Sequence, residues 1–187
     1  AASDVYKRQV EQLAPYKGTF SRVCICHGLL HNDTIWPEKR LEDINADALH
    51  EVFHANTVIP SLWLKLLHRL LVGKRRCVVV ALSARVGSIG DNRLGGWYAY
   101  RASKSALNMM LKTVSVEYAR RVKNVKLISF HPGTTDTALS KPFQASVPKQ
   151  NLFSTAFVAD CLMGIMDEAE VDGQLSYVDW SGKAIAW

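Results

Sequence analysis

Apolar residues in this chain fall into two kinds of stretch: short continuous runs, and longer segments where they return every three or four positions. Residues 76–83, Arg-Cys-Val-Val-Val-Ala-Leu-Ser, are a nearly continuous apolar run. Such a run predicts a strand buried on both faces of a parallel sheet. Residues 125–131 predict a second strand that stops at Pro132-Gly133. A short strand over 23–27 ends at Gly28, and a last strand is expected over 173–179. Between the first two strands, Asn45 and Asp47 offer helix caps, and Leu49, Val52, Phe53 and Asn56 follow at helical spacing. Pro60 should kink this helix, after which five leucines between 62 and 71 carry it to a stop at Gly73. Residues 98–121 form a helix with two partly apolar faces, in which Met109 and Met110 are expected to fill core. The stretch 138–151 contains Pro and Ser and reads as a mobile lid, and 153–167 reads as helix.

Composition bounds this picture. A chain of 187 residues that is 48% hydrophobic can bury the core of one compact domain. The net charge of +6 comes largely from Lys74, Arg75 and Arg76 and from Arg120, Arg121 and Lys123, at the ends of predicted elements. Cations there complement helix dipoles, and no aromatic residues interleave with them as a nucleic-acid platform needs. Neither a nucleic-acid partner nor a membrane is expected, since no apolar run is long enough to span a bilayer. Cys24, Cys26, Cys77 and Cys161 have no metal-type spacing, and three lie in or beside apolar strand runs. Buried, reduced thiols in a cytoplasmic setting are expected, or an organellar one if a transit segment precedes.

The candidate chemistry starts at Tyr100 and Lys104, four residues apart and so on one helical face. A phenol titrates near ~10, so work as a proton donor and acceptor near neutrality calls for a shift of roughly 3 units, about 4 kcal/mol. An ammonium at about 4 Å, at an effective dielectric of ~20, supplies an interaction of that size. The spacing therefore predicts a lowered Tyr100 pKa.

Strand with serine, helix with Tyr-x-x-x-Lys, strand, then Pro-Gly and threonines: this order resembles the short-chain dehydrogenase/reductase family from about Val23 onward. Residues 83–89, 91–97 and 179–187 are similar to its C-factor/sniffer-type branch. The resemblance implies a doubly wound, Rossmann-like α/β fold with a parallel sheet and a single domain over 10–187, with 1–9 as a segment foreign to the family. It implies an NADP- or NAD-dependent oxidoreductase acting on a small-molecule carbonyl or alcohol, and a homo-oligomer when full length. Tyr100 is then the general acid/base, Lys104 its partner and the ribose contact, and Asn56 the holder of a relay water. Gly28, Pro132, Gly133 and Thr135 shape the cofactor site, and Thr137 holds the nicotinamide carboxamide.

Two features depart from the family. Its carbonyl-orienting serine stands about thirteen residues before the tyrosine, but that count reaches Gly87 and alignment on the strand end reaches Ala84. Ser83 and Ser88 are the candidates, Ser83 on the opposite strand face from Ala84 and Ser88 in the loop. Second, no Gly-rich turn follows a strand to seat a pyrophosphate. The fold is thus expected to be N-terminally truncated by about two βα units of roughly 30 residues, and this chain to bind NADH and NADPH poorly. The alternative reading is a non-catalytic interaction or dimerisation half.

Overall fold

A computed structural model describes residues 2–187. In chain order the elements are α1 (Ala2–Gln12), β1 (Arg22–Ile25), α2 (Ala46–Phe53), α3 (Ile59–Leu71), β2 (Cys77–Leu82), α4 (Tyr98–Arg121), β3 (Val125–His131), the two-residue β4 (Thr134–Thr135) and β5 (Leu152–Phe153), α5 (Thr155–Glu168) and β6 (Leu175–Asp179). The four longer strands form one parallel sheet in the order β1-β2-β3-β6. Its alternation sorts the core. Cys77, Val79 and Ala81 face Leu64, Leu71, Leu107 and Leu111 of α3 and α4, whereas Val78 and Val80 face Val158 and Met166 of α5. Helices on both faces of a parallel sheet make the doubly wound architecture.

The predicted kink at Pro60 takes a different form. Asn45 caps α2 by accepting the Ala48 N–H at 3.0 Å, and a π turn over His54–Val58 then joins α2 to α3, with Pro60 in the first turn of α3. The widened turn removes the clash and the lost bond that proline imposes on a regular helix. It also places Asn56 and Thr57 inside the protein.

Two side-chain expectations need correction. Cys24 and Cys26 are exposed, because β1 is an edge strand and their face of it lies beyond the helix cover that α5 gives β2. Met109 and Met110 are exposed too, since the sheet takes the α4 face carrying Leu107 and Leu111. The segment 1–9 is helical over its described part, with Tyr6 meeting Trp63 of α3 at 5.3 Å. Ala1 lies outside the described residues. Among the described residues, no helix is long and apolar enough to cross a membrane, and no group of His, Cys, Asp or Glu could hold a metal ion.

Candidate active site

A cavity of about 880 Å³ opens at the C-terminal ends of β1, β2 and β3. In an open parallel sheet this is where ligands bind. Its lining includes Gly28 after β1, Ser83 and Ala84 after β2, His131 to Thr135 at the end of β3, and Tyr100 and Lys104 from α4.

One stripe of α4 builds the floor. Tyr100, Lys104 and Asn108 are spaced by four and all are buried. Lys104 Nζ donates to the Leu82 carbonyl at 2.7 Å and lies 5.8 Å from the centre of the Tyr100 ring. Asn108 Oδ1 accepts from Ser83 Oγ at 2.8 Å and from Ser129 Oγ at 2.7 Å, so it ties the ends of β2 and β3 to the helix. Gly87 lets the turn after β2 press onto the same helix, since a Cβ there would stand 2.9 Å from the Lys104 backbone. Asn56, fully buried, closes the other side. Its Oδ1 accepts the Leu29 N–H at 2.7 Å, and its Nδ2 donates to the Leu29 carbonyl and to Ser103 Oγ, both at 2.9 Å. Both ends of the amide are therefore spent on fixing the loop that holds Gly28. Gly28 in turn lies beside Lys104 Nζ and Asn56 Oδ1, at 3.6 and 3.8 Å from where a Cβ would be.

The electrostatics differ from the simple pair argument. Burial pushes the Tyr100 phenol up to about 12 and the Lys104 ammonium down to about 8. The predicted lowering of Tyr100 is absent, because the ammonium is aimed at the Leu82 carbonyl and removal from water outweighs its attraction. Tyr100 is accordingly neutral at physiological pH.

The two serine candidates separate. Ser83 borders the cavity, but its hydroxyl is turned to Asn108. Ser88 is buried away from the cavity, where its Oγ accepts the Asp91 N–H at 3.0 Å. The position that packs with Tyr100 is Ala84, a methyl group.

The opposite wall comes from the segment after β3. Gly133 takes a positive φ of 73°, and a Cβ there would stand 2.6 Å from the Phe153 ring. The parallel β4–β5 pair holds this segment in place. Within residues 138–151, Lys141–Ser146 and Lys149–Asn151 form 3-10 turns, and Leu139 and Phe143 line the cavity. Thr137 also borders it, exposed, with its Oγ1 3.4 Å from the Thr135 carbonyl. Within this wall His131 Nδ1 and Thr135 Oγ1 are buried without a hydrogen-bond partner. His27 Nδ1, at the end of β1, is in the same condition. Burial pushes His131 down to about 4, helped by Arg85 and opposed by Asp179.

Several site residues were missed from the sequence. Asn108 continues the four-residue spacing of Tyr100 and Lys104, a signal that was available. Glu38, whose buried carboxylate accepts the Ala99 N–H at 3.2 Å, and Trp97 carried none.

A 141-residue stretch of the chain is 31% identical to an oxidoreductase of Schizosaccharomyces pombe, covering 71% of this chain and 53% of that protein. The chain thus spans about half the length of that curated relative. The carbonyl reductase Sniffer of D. melanogaster superposes with a TM-score of 0.82 at 22% identity, over 99% of this chain and 74% of that one. The NADPH-bound carbonyl reductase from chicken fatty liver gives 0.80 at 18%, over 99% and 73%. Both are likenesses of fold. The family model for short chain dehydrogenases matches residues 5–148, and on that match the chain belongs to the short chain dehydrogenase family.

Proposed function

We propose that the protein carrying this chain is an NAD(P)-dependent oxidoreductase that reduces a small-molecule carbonyl to an alcohol. The observation that carries this is the Tyr100–Lys104 pair, buried at the floor of a cavity whose facing wall holds unpartnered polar atoms. Membership of the family and the NADPH named with the chicken carbonyl reductase support the cofactor class. The residues fit a nicotinamide. Thr135 and His131 line the cavity and carry buried polar atoms without a hydrogen-bond partner, which a small side-chain rotation would offer to an amide, and the missing side chain at Gly28 leaves room beside the Lys104 ammonium.

A bound reduced nicotinamide supplies the hydride. Tyr100, neutral at pH 7, donates its proton to the carbonyl oxygen. Lys104, with a pKa of about 8, is mostly an ammonium at pH 7 and stabilises the phenolate left behind. Asn56 acts as a positioning residue through Leu29 and Ser103. Thr137, Pro132 and Gly133 shape the nicotinamide pocket. Ser83 holds Asn108, and Ser88 holds its own loop. The exposed α4 face with Met109, Met110 and Val116 is the surface we assign to a second copy in a homo-oligomer.

The test follows NADPH absorbance with a carbonyl substrate in the protein expressed from its natural reading frame. Tyr100→Phe should lower turnover by about 10³-fold or more and leave NADPH affinity within about threefold, whereas Lys104→Ala should harm both. Normal turnover in Tyr100→Phe overturns the reading.

A further inference from the structure

At the opposite end of the sheet from the Tyr100 cavity, the turns that lead into β2 and β3 frame a second hollow of about 580 Å³. Lys74, Arg76, Arg120, Arg121 and Lys123 line it, and none of the described lining residues is acidic. The six residues of β2 separate the two sites by about 20 Å, at roughly 3.3 Å each.

Like charges stand together here because the fold holds them. Asn124 is the clasp. Its Nδ2 donates to the Leu71 and Arg75 carbonyls at 2.9 and 2.7 Å, and its Oδ1 accepts the Gly73 N–H at 3.3 Å. The turn carrying Lys74 and Arg76 is thereby fixed against the turn carrying Arg121 and Lys123. Gly73 also rests on Gly18, whose Cα would stand 2.9 Å from a Cβ there.

The charges are only partly answered. Arg121 pairs with Glu117. Arg76 donates to the carbonyls of Met166, Asp167 and Ala169 at the end of α5, which fixes its guanidinium without neutralising it. Lys74, Arg120 and Lys123 have no ion-pair or hydrogen-bond partner among the described residues. Asp167 and Asp172 are taken by Arg22 and Lys126, and Glu168 and Glu170 do not line the hollow. The C-terminal ends of α3, α4 and α5 meet here, and each offsets about half a positive charge. Five cations less Glu117 and these dipoles leave roughly two or three positive charges unanswered.

We propose that this hollow is an anion-binding site, separate from the Tyr100 cavity, which takes a compact group of two or three adjacent phosphates. Lys74, Arg120 and Lys123 supply free donors and Arg76 a fixed charge, a set that suits phosphate oxygens. No aromatic ring lines the hollow among the described residues, so a nucleic-acid base finds nothing to stack on. Its concavity favours a compact ligand over a flat bilayer.

The probe is inorganic triphosphate, titrated by calorimetry at about 0.15 M salt into the protein expressed from its natural reading frame and saturated with NADPH. It should bind saturably, and at least about 10-fold tighter than inorganic phosphate. Lys74→Glu and Lys123→Glu should each weaken it about 10-fold and leave NADPH affinity and melting temperature unchanged. Lys65→Glu, the same charge change on the exposed side of α3 away from the hollow, should alter it less than about twofold. Equal losses in all three variants mean diffuse attraction, and unchanged binding in both hollow variants means another site. Binding of oligouridylate or of phosphatidylserine vesicles without saturable triphosphate binding means an extended partner. Each of these outcomes overturns the proposal.

Discussion

The two walls of the cavity are built on opposite terms. On the α4 wall, Asn56, Ser83, Ser103, Asn108 and Ser129 hydrogen-bond one another or nearby backbone. On the wall after β3, His131 Nδ1 and Thr135 Oγ1 are buried without partners. A buried polar group costs little when paired and about 1–3 kcal/mol when not. The first wall is therefore finished by folding, while the second keeps polar capacity that a ligand can use. Substitutions on the first should cost stability, and those on the second should chiefly cost binding.

The largest expected effect is on the finished wall. Asn56→Ala removes three hydrogen bonds and strands the Leu29 N–H and carbonyl out of water. A loss of about 3 kcal/mol is expected in urea unfolding. A loss below about 1 kcal/mol would mean that the loop after β1 relaxes freely, and the contrast between the walls would fail.

Acid should find the other wall. His131 has a folded-state pKa of about 4 against an ordinary 6.5, so between those values the folded protein binds fewer protons than the unfolded chain. Stability attributable to His131 is present above pH 6.5 and is lost as pH falls toward 4. About 2 kcal/mol should disappear over that window, after allowance for the ring's partial exposure. His131→Gln should flatten this dependence, and an unchanged pH profile would show that the ring is hydrated.

Thr135→Val is the direct test of unused polar capacity. Replacing an unpaired buried hydroxyl by a methyl of the same shape should leave stability unchanged or raise it by about 1 kcal/mol. NADPH affinity should nevertheless fall. Destabilisation comparable to that of Asn56→Ala would erase the difference between the walls.

The same difference governs what was legible in the sequence. The sheet and its helices were readable because burial imposes periodicity: the 76–83 run became β2, and the 98–121 segment became α4 with the same bounds. The Tyr100–Lys104 pair was readable for the same reason, and Asn108 followed the same spacing unnoticed. The Tyr100 pKa was misjudged because spacing locates a charge without showing where it points or how dry its surroundings are. Exposure of Cys24 and Cys26 was hidden because an edge strand and a central strand can carry similar residues. Glu38 and Trp97 come together over 59 residues through loop geometry, and a left-handed tryptophan has no signature beyond its preceding glycines.

The smallest effects concern the serines, and they decide how the carbonyl is oriented. Ser83→Ala and Ser88→Ala each remove one neutral hydrogen bond, to Asn108 Oδ1 and from the Asp91 N–H respectively, worth about 1 kcal/mol. Neither hydroxyl is directed at the cavity, so turnover should stay within about twofold in both variants. Asn108 retains Ser129 as a second donor, which limits the damage from Ser83→Ala. Ala84 is the position packed against Tyr100, and Ala84→Ser would add there the hydroxyl that the family resemblance leads one to expect. A rise in turnover of about tenfold is expected, one added donor to the developing oxyanion. A large rate loss in Ser83→Ala with normal stability would instead show that its hydroxyl swings from Asn108 toward the substrate, making the α4 wall less finished than its hydrogen bonds indicate.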